Sequence, residues 1–278
     1  MKVVWKIVLL FALVFVVLGV ALIAVSLFSG GSVEGVRNNV PLMNFEQNFP
    51  DETPNELRIE IPAGKLIVEA GDVLRVEARD VAEGRFECSL ENGVLTVRER
   101  QDESWSNALS RLISLGKREP EYHIWLPHGT ELTRTDVRIA AGQADLRGLS
   151  TDVLQLNMAA GNVSAPSLRA RSALVEMAAG DLSLFDLDTD ILLLRATAGS
   201  AGVSGTVRSR CTVDLAAGAA VLRLTGNAAD YAAQLEAAAG SIDYAGTNLT
   251  LGRMSVGTGE NSVSLRCGAG SIDVQFFG

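Results

Sequence analysis

Aromatic and chemically reactive residues are scarce in this chain of 278 residues, of which Phe, Trp and Tyr make up 5%. Its two histidines, His123 and His128, have no Cys or acidic pair at metal-ligand spacing. Cys88, Cys211 and Cys267 are odd in number and widely spaced, which predicts neither a disulfide framework nor a metal site. The nucleophile elbow, the P-loop and the dinucleotide fingerprint are missing. We therefore predict a protein that is not an enzyme and that binds no cofactor and no metal.

Positive charge is also in short supply beyond the N-terminus. All 33 acidic residues follow residue 28, together with 22 of the 24 Lys and Arg, which leaves that part with a net charge of −11. Nucleic acid is excluded as a partner, because phosphate binding needs a basic face. Adsorption to an anionic lipid surface is disfavoured for the same reason.

One long apolar run stands at the N-terminus, where Ile7 to Phe28 carry no charge over 22 residues. At 1.5 Å per residue a helix of this length spans the ~30 Å hydrocarbon layer. Lys2 and Lys6 precede it and no basic residue follows until Arg37, so the positive-inside rule predicts a cytoplasmic N-terminus and an extracytoplasmic C-terminal domain. A cleaved signal peptide is the alternative. The predicted division is 1–6 cytoplasmic, 7–28 transmembrane anchor, 29–55 linker and 56–278 β domain.

The linker assignment follows from glycines, asparagines and prolines without a sustained period, although four apolar residues could dock on the domain, namely Val40, Leu42, Met43 and Phe45. From Glu56 onward, apolar residues alternate with polar ones, and Asn92-Gly93 between two such runs predicts a hairpin. Residues 102–116 interrupt this pattern with a single helical stripe. We expect one short helix there that covers an end of the β structure or docks a partner.

A small-small-Gly element, such as Ala178-Ala179-Gly180, recurs through the second half of the chain, and Ala63-Gly64 is a degenerate first copy. Its first five glycines follow one another at intervals of 19 residues, and the later intervals are 22, 19 and 11. A fixed period of this size is typical of a repeat architecture. We expect a corner with a positive φ at each repeat glycine, namely Gly142, Gly161, Gly180, Gly199, Gly218, Gly240, Gly259 and Gly270.

Positions counted from the repeat glycine form columns. The positions five and three residues before it, and two and four after it, are almost wholly apolar, which predicts the inward face of stacked parallel strands in an all-β solenoid with coils of about 19 residues. Four residues before it, Glu176, Arg195 and Asp214 alternate in charge and favour the register. Six residues before it, Leu174 and Leu193 form an outward pair that is a candidate partner site.

The acidic return Asp186-Leu187-Asp188-Thr189-Asp190 is not repeated in neighbouring copies. We therefore interpret these acids as solvated turn residues and not as a calcium site.

The basic N-terminus, the apolar segment, the turn Leu126-Pro127-His128-Gly129 and the tandem Ala-Gly-x-hydrophobic-x-hydrophobic repeats resemble the bacterial putative-adhesin β-strand-repeat family, a domain of unknown function. The resemblance covers roughly residues 56–278. It implies a right-handed parallel β-helix without catalysis, and it supplies no catalytic residues.

Two functions remain open at this stage. The first is a membrane-anchored, extracytoplasmic solenoid that binds or scaffolds another envelope protein or a cell-wall or surface ligand. The second is an accessory sensor of an envelope-stress response that acts through a membrane partner. A polysaccharide-acting enzyme would need clustered carboxylates on one outward face, and the columns offer no convincing set.

Overall fold

The computed structural model describes residues 41–100 and 119–278, and within them the chain is all-β apart from the short 3-10 helix Ala228–Asp230. The predicted anchor at 7–28, with Lys2 and Lys6, and the predicted helix at 102–116 lie outside the described residues. In the two described ranges, no helix has the length and apolar character needed to cross a bilayer.

The described strands form one fourteen-stranded sheet. In chain order they are β1 (Leu42–Phe49), β2 (Glu56–Gly71), β3 (Leu74–Ala82), β4 (Phe86–Glu91), β5 (Val94–Glu99), β6 (Glu121–Pro127), β7 (Leu132–Leu146), β8 (Ser150–Pro166), β9 (Arg169–Thr225), β10 (Tyr231–Ala237), β11 (Ser241–Tyr244), β12 (Thr247–Leu249), β13 (Gly252–Val256) and β14 (Asn261–Phe277).

Each coil has two arms that meet at the repeat glycine. We call the strand segment before the glycine the first arm and the segment after it the second arm. Neighbouring coils pair in parallel and in phase, with Gly142 opposite Gly161 and Gly161 opposite Gly180. The 57 residues of β9 continue this arrangement through three further coil lengths. The predicted all-β, solenoid-like repeat is therefore confirmed.

The core runs along the axis of the coils. Val137, Leu156, Val175, Leu194 and Val213, all five residues before a repeat glycine, have at most 1% of their surface exposed. Alternate residues point outward because successive side chains of a strand lie on opposite faces. The inward column therefore needs its neighbours above and below to be buried, since no single coil encloses it.

The repeat position requires glycine because of its backbone conformation and because the preceding coil lies so close to it. At Gly180, φ is +124°, which L residues rarely adopt, and an added Cβ would lie well inside contact distance of the Gly161 carbonyl oxygen. The same stacking relates Gly142 to Gly64, whose φ is +126°. Positive φ values also occur at the repeat glycines Gly142, Gly161, Gly199, Gly218 and Gly270.

The N-terminal end of the solenoid is covered by two separate groups of strands. β5 pairs in parallel with the first arm of β2 and forms a hairpin with β4. β6 pairs in parallel with the second arm of β2, β3 pairs with β6, and β1 pairs antiparallel with β3. The linker prediction was therefore wrong for residues 42–49. Phe49 is buried in the core and Phe45 packs against it, so this segment has enough apolar contact to join the sheet.

The C-terminal end departs from sequential stacking. β14 pairs in parallel with the last coil of β9, with Gly270 opposite Gly218, and also with β10 and β11 on its other side. The C-terminal strand is thus inserted between the coil of Gly218 and the later segment that contains Gly240. β13 and β12 then close the two arms by antiparallel pairing with β10 and β11.

This insertion corrects the assignment of Gly259 as a repeat corner. Gly259 lies between β13 and β14, and a Cβ there would collide with the backbone of Asp230 and Tyr231. Gly240 does lie over Gly270, with its Cβ position 2.5 Å from the Gly270 carbonyl oxygen, but its φ is not in the left-handed region. The 19-residue interval between Gly240 and Gly259 is therefore not a coil of the solenoid.

Candidate functional site

The outer face of the first arm carries one row of side chains, all charged except Asn157, which we call the charge ladder. Every member lies on the column four residues before the repeat glycine or directly opposite that column in a capping strand. In spatial order the ladder is Arg98, Glu60, Arg138, Asn157, Glu176, Arg195, Asp214, Arg266, Glu236 and Arg253.

Charges of opposite sign are neighbours throughout the second half of this ladder. Arg195 Nη1 lies 2.7 Å from Glu176 Oε1, and Arg195 Nε lies 3.8 Å from Asp214 Oδ2. Arg266 then lies 3.7 Å from Asp214 and 3.6 Å from Glu236. The predicted alternation of Glu176, Arg195 and Asp214 is confirmed.

The insertion of β14 completes the alternation. Sequential stacking would place Glu236 beside Asp214, and like charges directly opposite each other in a sheet are destabilising. β14 brings Arg266 between them. At the last rung, the hydrogen bond from Arg253 lowers the pKa of Glu236, even though burial acts in the opposite direction.

A groove of about 730 Å³ runs beside the N-terminal half of the ladder. The outward residues Ala140, Ala159 and Ala178, two before their repeat glycines, form its floor, and Arg138, Glu176 and Arg195 stand along one side. The groove exists because alanine methyl groups adjoin much longer charged side chains.

The predicted partner site, Leu174 and Leu193, lies on the same face. Both leucines are partly exposed and point outward, since the residues on either side of each are buried. Val153, which is 38% exposed, and the partly exposed Ile191 each lie eight residues before a repeat glycine, two positions further from it than the leucines. Their side chains therefore point to the same outer face. We call Val153, Leu174, Ile191 and Leu193 the leucine patch. It is an apolar surface bordered by the charge ladder.

A second cluster lies on the outer face of the second arm near the N-terminal end. The rings of His123 and Trp125 stack at 3.6 Å between centroids, and the guanidinium of Arg75 lies 4.8 Å from the Trp125 centroid. Glu69 contacts His123 Nε2 at 2.8 Å and Arg147 Nη1 at 2.9 Å. Burial raises the pKa of Glu69, but the hydrogen bonds from His123 and Arg147 outweigh it and hold this pKa below its usual value. These side chains support one another, and the arrangement favours a structural role.

The acidic return does not gather its carboxylates around a shared point. Ser167 Oγ donates to Asp186 at 3.0 Å, whereas Arg208 forms ion pairs with Asp188 and Asp190. Among residues 41–100 and 119–278 there is no group of three or more His, Cys, Asp or Glu side chains arranged to hold a metal ion.

The three cysteines are free thiols. Burial raises the pKa of Cys88 and of Cys211 to about 12, which keeps both thiols protonated at neutral pH. Cys211 and Cys267 lie on neighbouring strands, because β14 is inserted beside β9. Cys267 is nevertheless opposite Leu215, four residues along the strand from Cys211.

Comparison with known families decides the classification, because the model of the Toastrack DUF4097 family matches residues 52–275. The chain belongs to the Toastrack DUF4097 family. The resemblance expected from the repeats is thereby confirmed, and the Toastrack match begins after β1 and covers the capping strands β3 to β6 as well as the 19-residue coils. No curated protein matches this Toastrack chain.

Solved structures with similarity to this Toastrack chain are distant in sequence. A putative cell adhesion protein from Clostridium sporogenes is 14% identical with a TM-score of 0.41, covering 85% of this chain and all of its own. A putative adhesin from Bacteroides fragilis is 11% identical with a TM-score of 0.43, covering 85% of this chain and 99% of its own. A putative lipid binding protein from Parabacteroides distasonis is 12% identical with a TM-score of 0.33, covering 84% and 96%.

Sequence reasoning missed Arg266 as a member of the ladder. If the coils stacked in chain order, Glu236, four residues before Gly240, would follow Asp214 directly. Two features of the sequence could have predicted the position of Arg266. It lies four residues before the repeat glycine Gly270, and a positively charged residue between Asp214 and Glu236 would separate two carboxylates that otherwise repel each other.

Proposed function

We propose that this Toastrack chain is a binding or scaffolding module of the bacterial cell envelope, without catalysis, anchored by residues 7–28 with its solenoid outside the membrane. The observation that carries the proposal is the outer face of the first arm. There a partly exposed leucine patch adjoins a continuous charge ladder on stacked coils. Coils held together by parallel strand pairing present a rigid, extended surface, and such surfaces are suited to binding another macromolecule.

We also propose that the coils are right-handed. Crossovers between parallel strands in one sheet are right-handed in about 98% of cases. The side of the membrane follows from Lys2 and Lys6 before the apolar segment, by the positive-inside rule.

The proposal is tested by replacing residues 1–28 with a cleavable secretion signal and mixing the secreted solenoid with isolated cell walls and membranes of the producing bacterium. Saturable co-sedimentation with either fraction is expected. The double change Leu174→Glu and Leu193→Glu should weaken it at least tenfold. Val221→Glu is the matched control, because this valine is 37% exposed on the second arm.

Two results would contradict the binding role. The secreted solenoid would fail to co-sediment with either fraction, or the leucine changes would have no more effect than Val221→Glu. Absence of binding, combined with loss of the cellular phenotype when residues 1–28 are removed, would instead favour a sensor that acts within the membrane.

A further inference from the structure

Rungs of the charge ladder at equal distances on the two sides of Asn157 carry opposite charges. Asn157 is the uncharged rung, between Arg138 on the preceding coil and Glu176 on the next. Two rungs away, Glu60 on one side corresponds to Arg195 on the other. The next two correspondences are also of opposite sign, namely Arg98 with Asp214, and Glu87 of β4 with Arg266. A reversed copy of the ladder is therefore complementary to the original.

We infer that the outer face of the first arm binds a second copy of the chain, face to face, about a two-fold axis that runs along the strands through the coil of Asn157. Such an axis places each outward column opposite the same column of the partner and reverses the order of the coils. The two solenoid axes are then antiparallel, and the contact is isologous, the commonest kind in homo-oligomers. The inference rests on the proposed binding role and names the partner.

Every charged rung inside this contact faces a charge of opposite sign. Arg138 lies opposite the partner's Glu176, Glu60 lies opposite the partner's Arg195, and symmetry makes each contact twice. On the axis, Asn157 meets the partner's Asn157, and an amide both donates to and accepts from another amide. Moving the axis by half a coil would instead set Arg138 against the partner's Arg195. The charges therefore select the coil of Asn157, because like charges across an interface disfavour an arrangement.

The other outward columns bring small or uncharged side chains together at the axis. Ala159, Gln155 and Val153 lie on the coil of Asn157, two, six and eight residues before the repeat glycine, and each meets its own copy. Ala159 belongs to the alanine floor of the groove, so the two faces approach closely there. No two like charges face each other in the columns two, four, six and eight residues before the repeat glycine.

The leucine patch lies inside the contact. Leu193 faces the partner's Arg58, and the methylene stem of an arginine covers apolar surface while its charged end stays in water. Leu174 faces the partner's Asp136, whose side chain is 15% exposed and whose carboxylate already contacts Arg138 of its own chain at 3.1 Å. The leucines thus lose contact with water without leaving a carboxylate unpaired.

The contact has the size of a specific interface. It extends from Glu87 to Arg266, which at about 4.8 Å per strand is about 40 Å along the solenoid. The four outward columns span about 20 Å at about 3.3 Å per residue. The area is therefore about 800 Å² on each copy, which is typical of stable protein–protein interfaces.

The test uses the full-length chain in detergent, with Cys88→Ser as background and a single dye at Phe277→Cys, a residue that is 48% exposed. Donor- and acceptor-labelled chains are mixed and energy transfer is measured against concentration. The background chain should associate with itself. Arg138→Glu alone and Glu176→Arg alone should each weaken self-association at least ~10-fold, because each places two pairs of like charges across the interface.

The decisive sample mixes these two single variants, with the donor on one and the acceptor on the other. One copy then carries arginine at both positions and the other carries glutamate at both, so both contacts across the interface become attractive. Association between the unlike variants should return to within ~3-fold of the background chain. Within one chain the coil of Asn157 separates Arg138 from Glu176, and mixing cannot restore a contact within a chain, so recovery reports the contact between copies.

Arg253→Glu is the matched control. It makes the same change of charge as Arg138→Glu and breaks the 2.7 Å ion pair with Glu236, but its rung lies beyond the overlap, so association should be unchanged. Asn157→Asp, which hardly alters the shape of the side chain, places two carboxylates on the axis and should weaken association at least ~10-fold.

The inference is overturned if the background chain shows no energy transfer at ~0.1 mM, or if the variants with Arg138→Glu, Glu176→Arg or Asn157→Asp associate as the background chain does. It is also overturned if the mixture does not recover, or if Arg253→Glu weakens association as much as Arg138→Glu does. Because only the purified chain is used, such a failure leaves the result with cell walls and membranes standing.

Discussion

The change Gly180→Ala tests the physical role of the repeat corner. The backbone at Gly180 has a φ of +124°, and an added Cβ would meet the carbonyl oxygen, carbonyl carbon and nitrogen of Gly161 on the preceding coil. Left-handed backbone costs an L residue about 1–2 kcal/mol. The coil must also shift to relieve the collision, which weakens backbone hydrogen bonds to its neighbour by about 1–3 kcal/mol. We therefore expect the free energy of unfolding to fall by about 2–5 kcal/mol.

Alanine variants of two other glycines separate the cost of the left-handed backbone from the cost of the collision with the neighbouring coil. Gly148 has a φ of +61° with nothing within 4 Å of its Cβ position, so Gly148→Ala should cost only the backbone term of about 1–2 kcal/mol. Gly202 lacks a left-handed φ, and its Cβ position is 3.9 Å from the nearest atom, so Gly202→Ala should be neutral or slightly stabilising. Denaturant unfolding of the full-length variants, followed by circular dichroism, measures all three. Equal losses at Gly180 and Gly148 would refute close stacking of the corners.

Two further predictions concern charge. Arg266→Glu places a carboxylate between Asp214 and Glu236 and should lower the free energy of unfolding by about 1 kcal/mol, since these groups are exposed. The loss should shrink in 1 M salt, and a loss independent of salt would contradict an electrostatic cause. The second concerns Glu69, whose pKa is lowered below 4.5 in the folded chain. Its stabilisation is therefore present above the unfolded pKa and is lost as the pH falls through the folded value. The stability of Glu69→Gln, measured from pH 6 to pH 2, should fall less steeply below about pH 4.5 than that of the wild type, and identical slopes would count against it.

The repeat columns could be predicted because burial and backbone geometry impose them residue by residue. Gly142 to Gly218 keep one interval, and the apolar columns around them have a period that only stacked parallel strands satisfy. The hairpin at Asn92-Gly93 was equally readable and is confirmed, with positive φ at both residues.

The order of the last coils was not readable from the period alone. The repeat columns predict which residues share a face of the solenoid, but they do not predict which coils are adjacent. Gly259 matched the interval of 19 and Gly270 did not, yet Gly270 is the one that stacks on Gly218. The pairing of β14 depends on contacts between distant parts of the chain, and these leave only an indirect trace, the like charges of Asp214 and Glu236.

The candidate site was predictable in part. Leu174 and Leu193 were identified as outward leucines, and the structure shows them partly exposed. Their position beside the complete charge ladder could not be predicted from the sequence, because Arg98, Arg253 and Arg266 belong to capping or inserted strands. The contribution of β1 was missed because its sequence lacks the repeat glycine and is bounded by prolines, Pro41 before it and Pro50 after it.

We propose above all that the solenoid lies outside the membrane as a binding module. The most direct measurement is labelling of single cysteines in intact cells with a membrane-impermeant maleimide, in a Cys88→Ser background. Phe277→Cys, at a position where the native side chain is 48% exposed, should be labelled without lysis, whereas Lys2→Cys should be labelled only after lysis. Labelling of Phe277→Cys only after lysis would contradict the account.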